Sequence, residues 1–260
     1  MSVRIALFGG IYNNYLALEA ALDTAKALGV DEYYCHGDIG AFGPFPDRSF
    51  PLLYENQVHC IQGNYDDSIG NQLDNCQCGY TDPRDNYFAQ ISYDYTLENT
   101  NADNQKFLQR LEKEHVLEIE EQRILLCHGS PRKTNEFLWE STTPLHFLDV
   151  FFHQREVDCI AGTHTGIKWH ANTRLGQFIN VGVLGRPEND STTNVWFTTL
   201  DISRDSIQHK FHPVVYDYDR LSREMQMEGL PDEFIETIQT GRWTTCLEVL
   251  PQKERQRLNH

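Results

Sequence analysis

The stretch Arg4-Ile5-Ala6-Leu7-Phe8-Gly9-Gly10 predicts a buried β-strand that ends at two glycines. Apolar residues at helical spacing follow over residues 16–28, directly before a glycine that is a natural helix stop. Further strands are predicted at 31–36 and 58–62, with a helix between them at 46–56. Strands and helices that alternate at this pitch indicate parallel pairing with right-handed crossovers. The first half of the chain is therefore predicted to be α/β.

The second half of the chain predicts another sheet. A hairpin is predicted within residues 116–127 and a helix at 144–155. Five short strands follow, which we expect to pair mostly antiparallel, at residues 158–163, 169–173, 177–181, 195–202 and 207–214. Two short helices are predicted over 216–240, and the tail 253–260 is expected to fray. The whole pattern predicts two sheets with helices outside them.

The net charge argues against two classes of partner. The chain has 22 Lys and Arg against 38 Asp and Glu, which gives −16 at pH 7. A surface this acidic repels phosphate backbones and anionic lipid, so general nucleic-acid binding and membrane docking are not expected. The N-terminus lacks a signal-peptide core, and no stretch has the roughly 20 apolar residues of a membrane span. We expect a cytoplasmic protein with reduced cysteines, including Cys76 and Cys78 as free loop thiols.

Four polar clusters directly follow predicted strands. They are Gly37-Asp38, Gly63-Asn64, His128-Gly129 and Thr163-His164-Thr165. Ligands of open α/β sheets bind beyond the carboxyl ends of the strands, and small residues let the backbone turn sharply there. One carboxylate, one amide oxygen and two imidazoles suit one divalent ion of manganese, iron or zinc. The sequence thus predicts a metal site, with a polar network that holds no metal as the alternative.

These clusters resemble the motifs of the calcineurin-like metallophosphoesterases, in particular their compact bacterial phosphodiesterase branch. Residues 9–20 are similar to the opening Asp-x-His-Gly-Asn motif with its helix, and Gly37-Asp38 is similar to the Gly-Asp motif. Gly63-Asn64-Tyr65-Asp66 resembles Gly-Asn-His-Asp, and His128-Gly129-Ser130-Pro131 matches as it stands. Thr163-His164-Thr165-Gly166 resembles Gly-His-x-His.

The resemblance implies a fold and a division into domains. The fold is a four-layer αββα sandwich, in which two packed mixed β-sheets are flanked by helices. The metallophosphoesterase domain would comprise residues 1–215, with a polar insertion or cap at about 66–104 that is rich in Asn, Asp, Gln and Tyr. Residues 216–260 would form a C-terminal helical extension. Homo-oligomers are common among such proteins and are an open expectation here.

The departures from the family pattern fall on one side of its two-metal centre. Family members have a carboxylate where this chain has Gly10, and imidazoles where it has Tyr12 and Gly166. The second metal's ligands are all present in Asp38, Asn64, His128 and His164. The resemblance therefore implies one retained metal site and one lost one. A shift of the last motif by one residue would instead place His164 at the first metal.

Further residues are candidates for the chemistry. Tyr65 stands where the family has the histidine that protonates the leaving group, and with Asp66 it is predicted to be catalytic. A phenol with a pKa near 10 could donate that proton. Candidate contacts to substrate, or remnants of the first metal site, are Tyr12, His36, Asn180 and Arg186. The alternatives are that the tyrosines only fill space and that His36 is structural.

Three functions follow from these residues. The first is hydrolysis of a small phosphomonoester or phosphodiester at a single divalent metal ion. The second is a catalytically inactive sensor or scaffold that binds a metal or a phosphorylated ligand on the same fold. The third is a mononuclear iron redox enzyme, since two histidines and a carboxylate are also the ligands of non-haem iron oxygenases.

Overall fold

The structure is a computed structural model that describes residues 2–256. The strands are β1 (Val3–Phe8), β2 (Glu32–Cys35), β3 (His59–Cys60), β4 (Glu114–Ile119), β5 (Gln122–Cys127), β6 (Cys159–Gly162), β7 (Trp169–Asn172), β8 (Gln177–Asn180), β9 (Val195–Ser203) and β10 (Ser206–Val214). The helices are α1 (Tyr15–Ala27), α2 (Ser49–Glu55), α3 (Asn64–Asn71), α4 (Pro83–Asn99), α5 (Ala102–Gln109), α6 (Leu145–Arg155), α7 (Tyr218–Met227), α8 (Asp232–Thr240) and α9 (Gln252–Arg255).

The strands form two mixed five-stranded sheets. The first sheet has the order β10-β9-β1-β2-β3, in which β1, β2 and β3 are parallel and β9 and β10 are antiparallel additions. The second has the order β4-β5-β6-β8-β7, in which β5, β6 and β8 are parallel. This architecture confirms the predicted α/β class with two packed mixed sheets flanked by helices.

One sheet assignment from the sequence is wrong. The last two strands were expected in a second, mostly antiparallel sheet, but β9 pairs with β1 in the first sheet. The strand β1 is buried on both faces and offers a free edge opposite β2, so the returning chain completes the first sheet. The second sheet is consequently half parallel rather than mostly antiparallel.

Alternating side chains of the strands build the layers. In β1, Ile5 and Leu7 face the second sheet, whereas Ala6 and Phe8 face the helices on the outside of the first sheet. The second sheet divides in the same way, because Leu126 faces the sheet interface and Leu125 packs with α6. Each sheet is therefore buried on both faces, as expected when helices cover the outside of a sheet sandwich.

The C-terminal extension is folded onto the rest of the chain. Helices α7 and α8 confirm the two helices predicted around Gly229-Leu230-Pro231. The predicted fraying is wrong for residues 253–255, which lie in α9, where buried Glu254 accepts a hydrogen bond from the Ser141 hydroxyl at 2.5 Å. Residues 257–260 of the predicted tail lie outside the described residues. Within residues 2–256, no helix combines the length and apolar character that crossing a bilayer requires.

Candidate active site

Tight turns place the predicted ligands at the carboxyl ends of the strands. Asp38 follows β2 with a φ of 54°, and His164 follows β6 with a φ of 63°. A side chain at Gly63 would put its Cβ 2.2 Å from Asp38 Oδ1, and one at Gly37 would lie 2.2 Å from the Gly63 nitrogen. Only glycines allow these two turns to approach each other so closely.

Three of the predicted metal ligands form one buried cluster. Nε2 of His128 lies 3.2 Å from Oδ2 of Asp38 and 3.2 Å from Nδ1 of His164. One ligand atom from each residue lies within 4.8 Å of the other two. His128 is 1% exposed, Asp38 3% and His164 8%. This separation and burial are suited to a single cation held by a carboxylate and two imidazoles.

A reciprocal pair of hydrogen bonds fixes the tautomer of His128. Its Nδ1 donates to the carbonyl oxygen of His36 at 2.6 Å, and Nδ1 of His36 donates to the carbonyl oxygen of Cys127 at 3.0 Å. These bonds join the end of β2 to the end of β5 and so link the two sheets. Because Nδ1 of His128 carries the donated hydrogen, its Nε2 is free to face Asp38 and bind a metal.

Burial and neighbouring charges set the protonation of the cluster. Burial disfavours charge on His128, but the Asp38 carboxylate outweighs it and raises the pKa of His128. Burial also opposes ionisation of Asp38, whereas the nearby His128 and His164 lower its pKa overall. Burial, reinforced by His128, lowers the pKa of His164 to about 3. His164 is therefore a neutral imidazole at physiological pH, which is the form that binds metals.

The fourth predicted ligand, Asn64, opens α3 and lines the same cavity as Asp38 and His164. Its amide nitrogen donates to the carbonyl oxygen of Cys76 at 2.8 Å and approaches Sγ of Cys78 at 3.4 Å. Its Oδ1 is buried and has no hydrogen-bond partner within residues 2–256. A buried carbonyl oxygen without a partner is costly, so Asn64 fits the role of a metal ligand.

The expectation that Cys76 and Cys78 are free thiols is wrong. The two residues form a disulfide in the loop before α4. The bond joins cysteines only two positions apart in the sequence. Such a short spacing does not resemble the spacing of a disulfide framework, so the sequence did not predict the bond. The other five cysteines, which are buried, are free thiols: Cys35, Cys60, Cys127, Cys159 and Cys246.

Asp66 lies beneath the cluster and holds its turns together. Its carboxylate accepts the backbone N–H groups of Asp38 at 2.7 Å, Ile39 at 3.0 Å and Gly63 at 2.8 Å. Burial and then the nearby Asp38 raise the pKa of Asp66 to about 6. Asp66 is fully buried and does not line the cavity. These contacts favour a positioning role for Asp66 over the predicted catalytic one.

The Asp66→Asn substitution is expected to destabilise the fold by about 2–4 kcal/mol. The amide that replaces one oxygen would face backbone N–H donors, which leaves buried donors without an acceptor. Chemical denaturation of the purified variant measures this loss. The neighbouring Asp67→Asn substitution is the matched control, because Asp67 is only half-buried and an amide oxygen can still accept from Asn71, so it should change the free energy of unfolding by less than about 0.5 kcal/mol. An Asp66→Asn protein as stable as the wild type would contradict the positioning role.

A small, half-open cavity lies beside the cluster, with an accessible volume of about 50 Å³. Its polar wall includes Asp38, Asn64 and His164, together with the phenol of Tyr65. The opposite wall is apolar and comes from the segment after Asp38, from α4 and from α8, through Phe42, Phe88 and Phe234. The predicted cap region, residues 66–104, thus contributes to the cavity through α4.

Tyr65 points its hydroxyl toward α4. The hydroxyl oxygen lies 3.2 Å from Ser92 Oγ and 3.3 Å from the Ala89 carbonyl oxygen, and the hydroxyl can donate a hydrogen bond to either. Burial strongly raises the pKa of Tyr65, so the phenol keeps its proton at physiological pH. The structure brings Tyr65 to the cavity with a proton to donate, as the predicted role of a general acid requires.

Arg186 is a buried cation in the cavity wall. Its guanidinium stacks on Trp243, with 3.6 Å from Cζ to the ring centroid, and the residue is 6% exposed. Nε has no hydrogen-bond partner, and no carboxylate within residues 2–256 forms an ion pair with Arg186. An unpaired buried guanidinium is costly, and its planar donors match the oxygens of a phosphate group. The predicted substrate contact therefore lies where such a contact can form.

A family comparison agrees with this site. The model of the calcineurin-like phosphoesterase superfamily domain matches residues 3–205 of the chain. This chain belongs to that superfamily. A curated relative, an uncharacterised protein of Methanocaldococcus jannaschii, is 26% identical over 147 residues, which are 56% of this chain and 57% of the relative. The aligned part thus spans little more than half of that relative.

Two solved structures are similar over nearly the whole calcineurin-like chain. A hypothetical protein from Pyrococcus horikoshii has a TM-score of 0.77 and 21% identity, covering 93% of this chain and 100% of its own. A metallophosphoesterase from Sphaerobacter thermophilus has a TM-score of 0.73 and 21% identity, and the match covers 92% of this chain and 99% of that structure. At this level of identity the likeness shows a shared metallophosphoesterase fold.

Neighbouring side chains fill the positions at which this calcineurin-like chain departs from the family pattern. A Cβ at Gly10 would lie 2.3 Å from Cε1 of Tyr12, whose ring also covers Gly185. A Cβ at Gly166 would lie 3.4 Å from the ring of Trp243 and 3.6 Å from the guanidinium of Arg186. Burial strongly raises the pKa of Tyr12, which favours the neutral phenol over a metal-binding phenolate. These contacts fit the predicted alternative that Tyr12 fills space.

The Gly10→Asp substitution alone is expected to destabilise the protein by about 1–3 kcal/mol, because the new side chain collides with the Tyr12 ring. The double substitution Gly10→Asp, Tyr12→His removes that ring and should recover most of the loss. Urea denaturation of both variants beside Tyr12→His alone measures the coupling. Additive effects of the two substitutions on the free energy of unfolding would contradict this coupling between positions 10 and 12.

Two predicted contacts lie away from the cavity. His36 is fully buried, and Asn180 donates to the Thr163 carbonyl oxygen and to Thr165 Oγ1, both at 2.8 Å. Neither lines the cavity. These contacts favour the structural alternative for His36, and those of Asn180 hold the turn that carries His164. Two residues of the C-terminal extension were not predicted: Cys246 lines the cavity, and Trp243 stacks on Arg186 in its wall.

Proposed function

We propose that this protein hydrolyses a small phosphomonoester or phosphodiester with one divalent metal ion of manganese, iron or zinc. The observation that carries the proposal is that Asp38 and His164, which form a metal-binding cluster with His128, line one cavity together with Arg186, a buried cation that has no carboxylate partner within residues 2–256. Membership of the calcineurin-like phosphoesterase superfamily supports the same class of reaction.

The residues divide the work as follows. Asp38, Asn64, His128 and His164 would hold the ion, which supplies a Lewis acid for the phosphoryl group and lowers the pKa of a water. Arg186 would bind the phosphoryl oxygens through charge-assisted hydrogen bonds. Tyr65 would donate its proton to the leaving oxygen, for which its hydroxyl must turn away from Ser92.

The cavity supports a small organic phosphate as the ligand. Aromatic rings of Phe42, Phe88 and Phe234 face the polar wall, so an apolar or planar group attached to the phosphate can be buried there. A net charge of −16 disfavours long nucleic acids, which would have to approach an acidic surface. We therefore propose a small phosphorylated molecule as the partner of this site.

One observation favours a second candidate function, that of a binding protein without turnover. Tyr12 lies against Gly10, and Trp243 and Arg186 lie against Gly166, at the positions where the family has ligands of the first metal, so we propose that this chain holds one metal rather than two. Two metals normally clamp the attacking and leaving oxygens, and losing one removes part of that stabilisation. The same site would then bind a phosphorylated ligand without hydrolysing it.

A hydrolysis assay distinguishes the two functions. The purified protein is incubated with a bis-aryl phosphodiester and an aryl phosphomonoester, each with added manganese, zinc or ferrous iron. Turnover that requires the metal supports the hydrolase. Calorimetric binding of phosphates with no turnover under any metal would replace the hydrolase with the binding protein, and metal analysis of the purified protein reports ion identity and stoichiometry.

A further inference from the structure

A second group of metal-binding side chains lies on the surface, outside the residues that line the cavity. It consists of His59 in β3, Glu112 before β4 and His115 in β4. Strand β3 is an edge of the first sheet, and β4 is an edge of the second. The group therefore spans the two sheets at one side of the sandwich.

The three side chains already converge on one point. Oε1 of Glu112 lies 2.8 Å from Nε2 of His59 and 2.7 Å from Nδ1 of His115. The imidazole centroids are 4.4 Å apart. The side chains are 43%, 47% and 32% exposed for His59, Glu112 and His115, so an ion can reach them from solvent.

An aromatic floor restricts both imidazoles. The ring of Tyr34 lies beneath them, with its centroid 5.7 Å from that of His59 and 6.5 Å from that of His115. Tyr34 itself is buried and pairs with His59 across β2 and β3. Side chains that are held before binding lose less entropy when a ligand arrives, which favours affinity.

The opposite side of the sandwich provides a natural comparison. His170 of β7 and His209 of β10 also face each other across the two sheets, with centroids 4.3 Å apart. Within residues 2–256, no carboxylate completes a three-residue group there. The two sides thus share the paired imidazoles and differ in the acidic ligand.

We propose that His59, Glu112 and His115 form a second metal site, for a divalent ion that accepts mixed nitrogen and oxygen ligands, such as zinc, cobalt or nickel. Two imidazoles and one carboxylate leave further coordination positions for water, as in open zinc sites. The backbone carbonyl of Glu112 also accepts the N–H of Gln62 at 2.7 Å. A bound ion therefore joins β3 to β4 and holds the segment that leads to Asn64.

Zinc binding tests the proposal independently of the proposed hydrolase function. Equilibrium dialysis with zinc at pH 7.5, followed by metal analysis, is applied to three proteins. They are the wild type, the double variant H59A/H115A and, as the matched control, the double variant H170A/H209A. We expect the first double variant to bind one zinc per chain fewer than the wild type, and the control to match the wild type. Equal binding by all three proteins, or an equal loss in both variants, would overturn the site.

The Glu112→Gln variant separates metal binding from ordinary hydrogen bonding. Its amide oxygen can still accept from both histidines, so the fold is retained while the charged ligand is lost. We expect zinc affinity to fall by about 10–100-fold or more, since even outer partners of metal ligands contribute that much. At about 100 Kd, zinc should raise the unfolding temperature of the wild type by about 5–10 °C more than that of the double variant that lacks His59 and His115. An unchanged affinity in Glu112→Gln would exclude the carboxylate as a ligand and refute the proposal.

Discussion

The His128→Ala substitution is expected to remove the active-site metal and to lower the rate of phosphate-ester hydrolysis by at least about a thousandfold. Nε2 of His128 contacts both Asp38 and His164, so its loss leaves the other two ligands without their central partner. A metal ion contributes several kcal/mol to the stabilisation of the transition state, and about 4 kcal/mol corresponds to this change in rate. Metal content and kcat/KM of the purified variant measure both effects.

The control for this experiment is His153→Ala, which changes an exposed histidine on α6 and should retain metal and rate. Asn64→Ala provides a second active-site variant, since its Oδ1 faces no other partner. It should also abolish turnover while leaving the bonds from His128 to His36 and from His36 to Cys127 in place. Full metal content and full rate in either His128→Ala or Asn64→Ala would refute the assignment of these ligands.

The Arg186→Met substitution is expected to weaken phosphate binding by at least about tenfold and, at the same time, to stabilise the fold by about 1–2 kcal/mol. Arg186 is a buried cation without a carboxylate partner, so an apolar side chain of similar length removes a desolvation cost. The loss of its stacking on Trp243 offsets part of that gain. Calorimetry with inorganic phosphate and denaturation of the ligand-free protein measure the two effects.

These opposite effects distinguish a ligand-binding arginine from a structural one. A structural arginine would give a less stable protein when it is replaced, with phosphate binding reduced only in proportion to unfolding. Arg186→Lys keeps the charge but loses the planar fork, so its phosphate affinity should fall between those of the wild type and Arg186→Met. Phosphate affinity that is unchanged in Arg186→Met would contradict its role in the site.

The regular elements near the N-terminus could be predicted closely. The strand predicted at residues 4–8 and the helix at 16–28 correspond to β1 and α1, because alternation and helical spacing follow local geometry. The sheet that receives β9 could not be predicted, since its alternation indicates burial but not which strand edge is free. That edge is set by β1, nearly two hundred residues earlier in the chain.

The site likewise combines features that local sequence predicts with features that depend on distant parts of the chain. The cluster of Asp38, His128 and His164 could be predicted because ligands at strand ends meet at one edge of the sheets. The stacking of Trp243 on Arg186 could not, because it depends on how the C-terminal extension returns over the cavity. The positioning role of Asp66 was also hidden, since residue type alone does not show which backbone groups a carboxylate accepts.

Two hydrogen bonds between the sheets, from His128 to the His36 carbonyl oxygen and from His36 to the Cys127 carbonyl oxygen, depend on how the sheets are aligned. Each histidine donates to a backbone carbonyl oxygen of the opposite sheet, so any sliding of one sheet past the other would break a contact at the ring that faces Asp38. Displacement of one sheet past the other would lengthen the bond that holds Nδ1 of His128, so the orientation of the ring that faces Asp38 depends on the alignment of the two sheets.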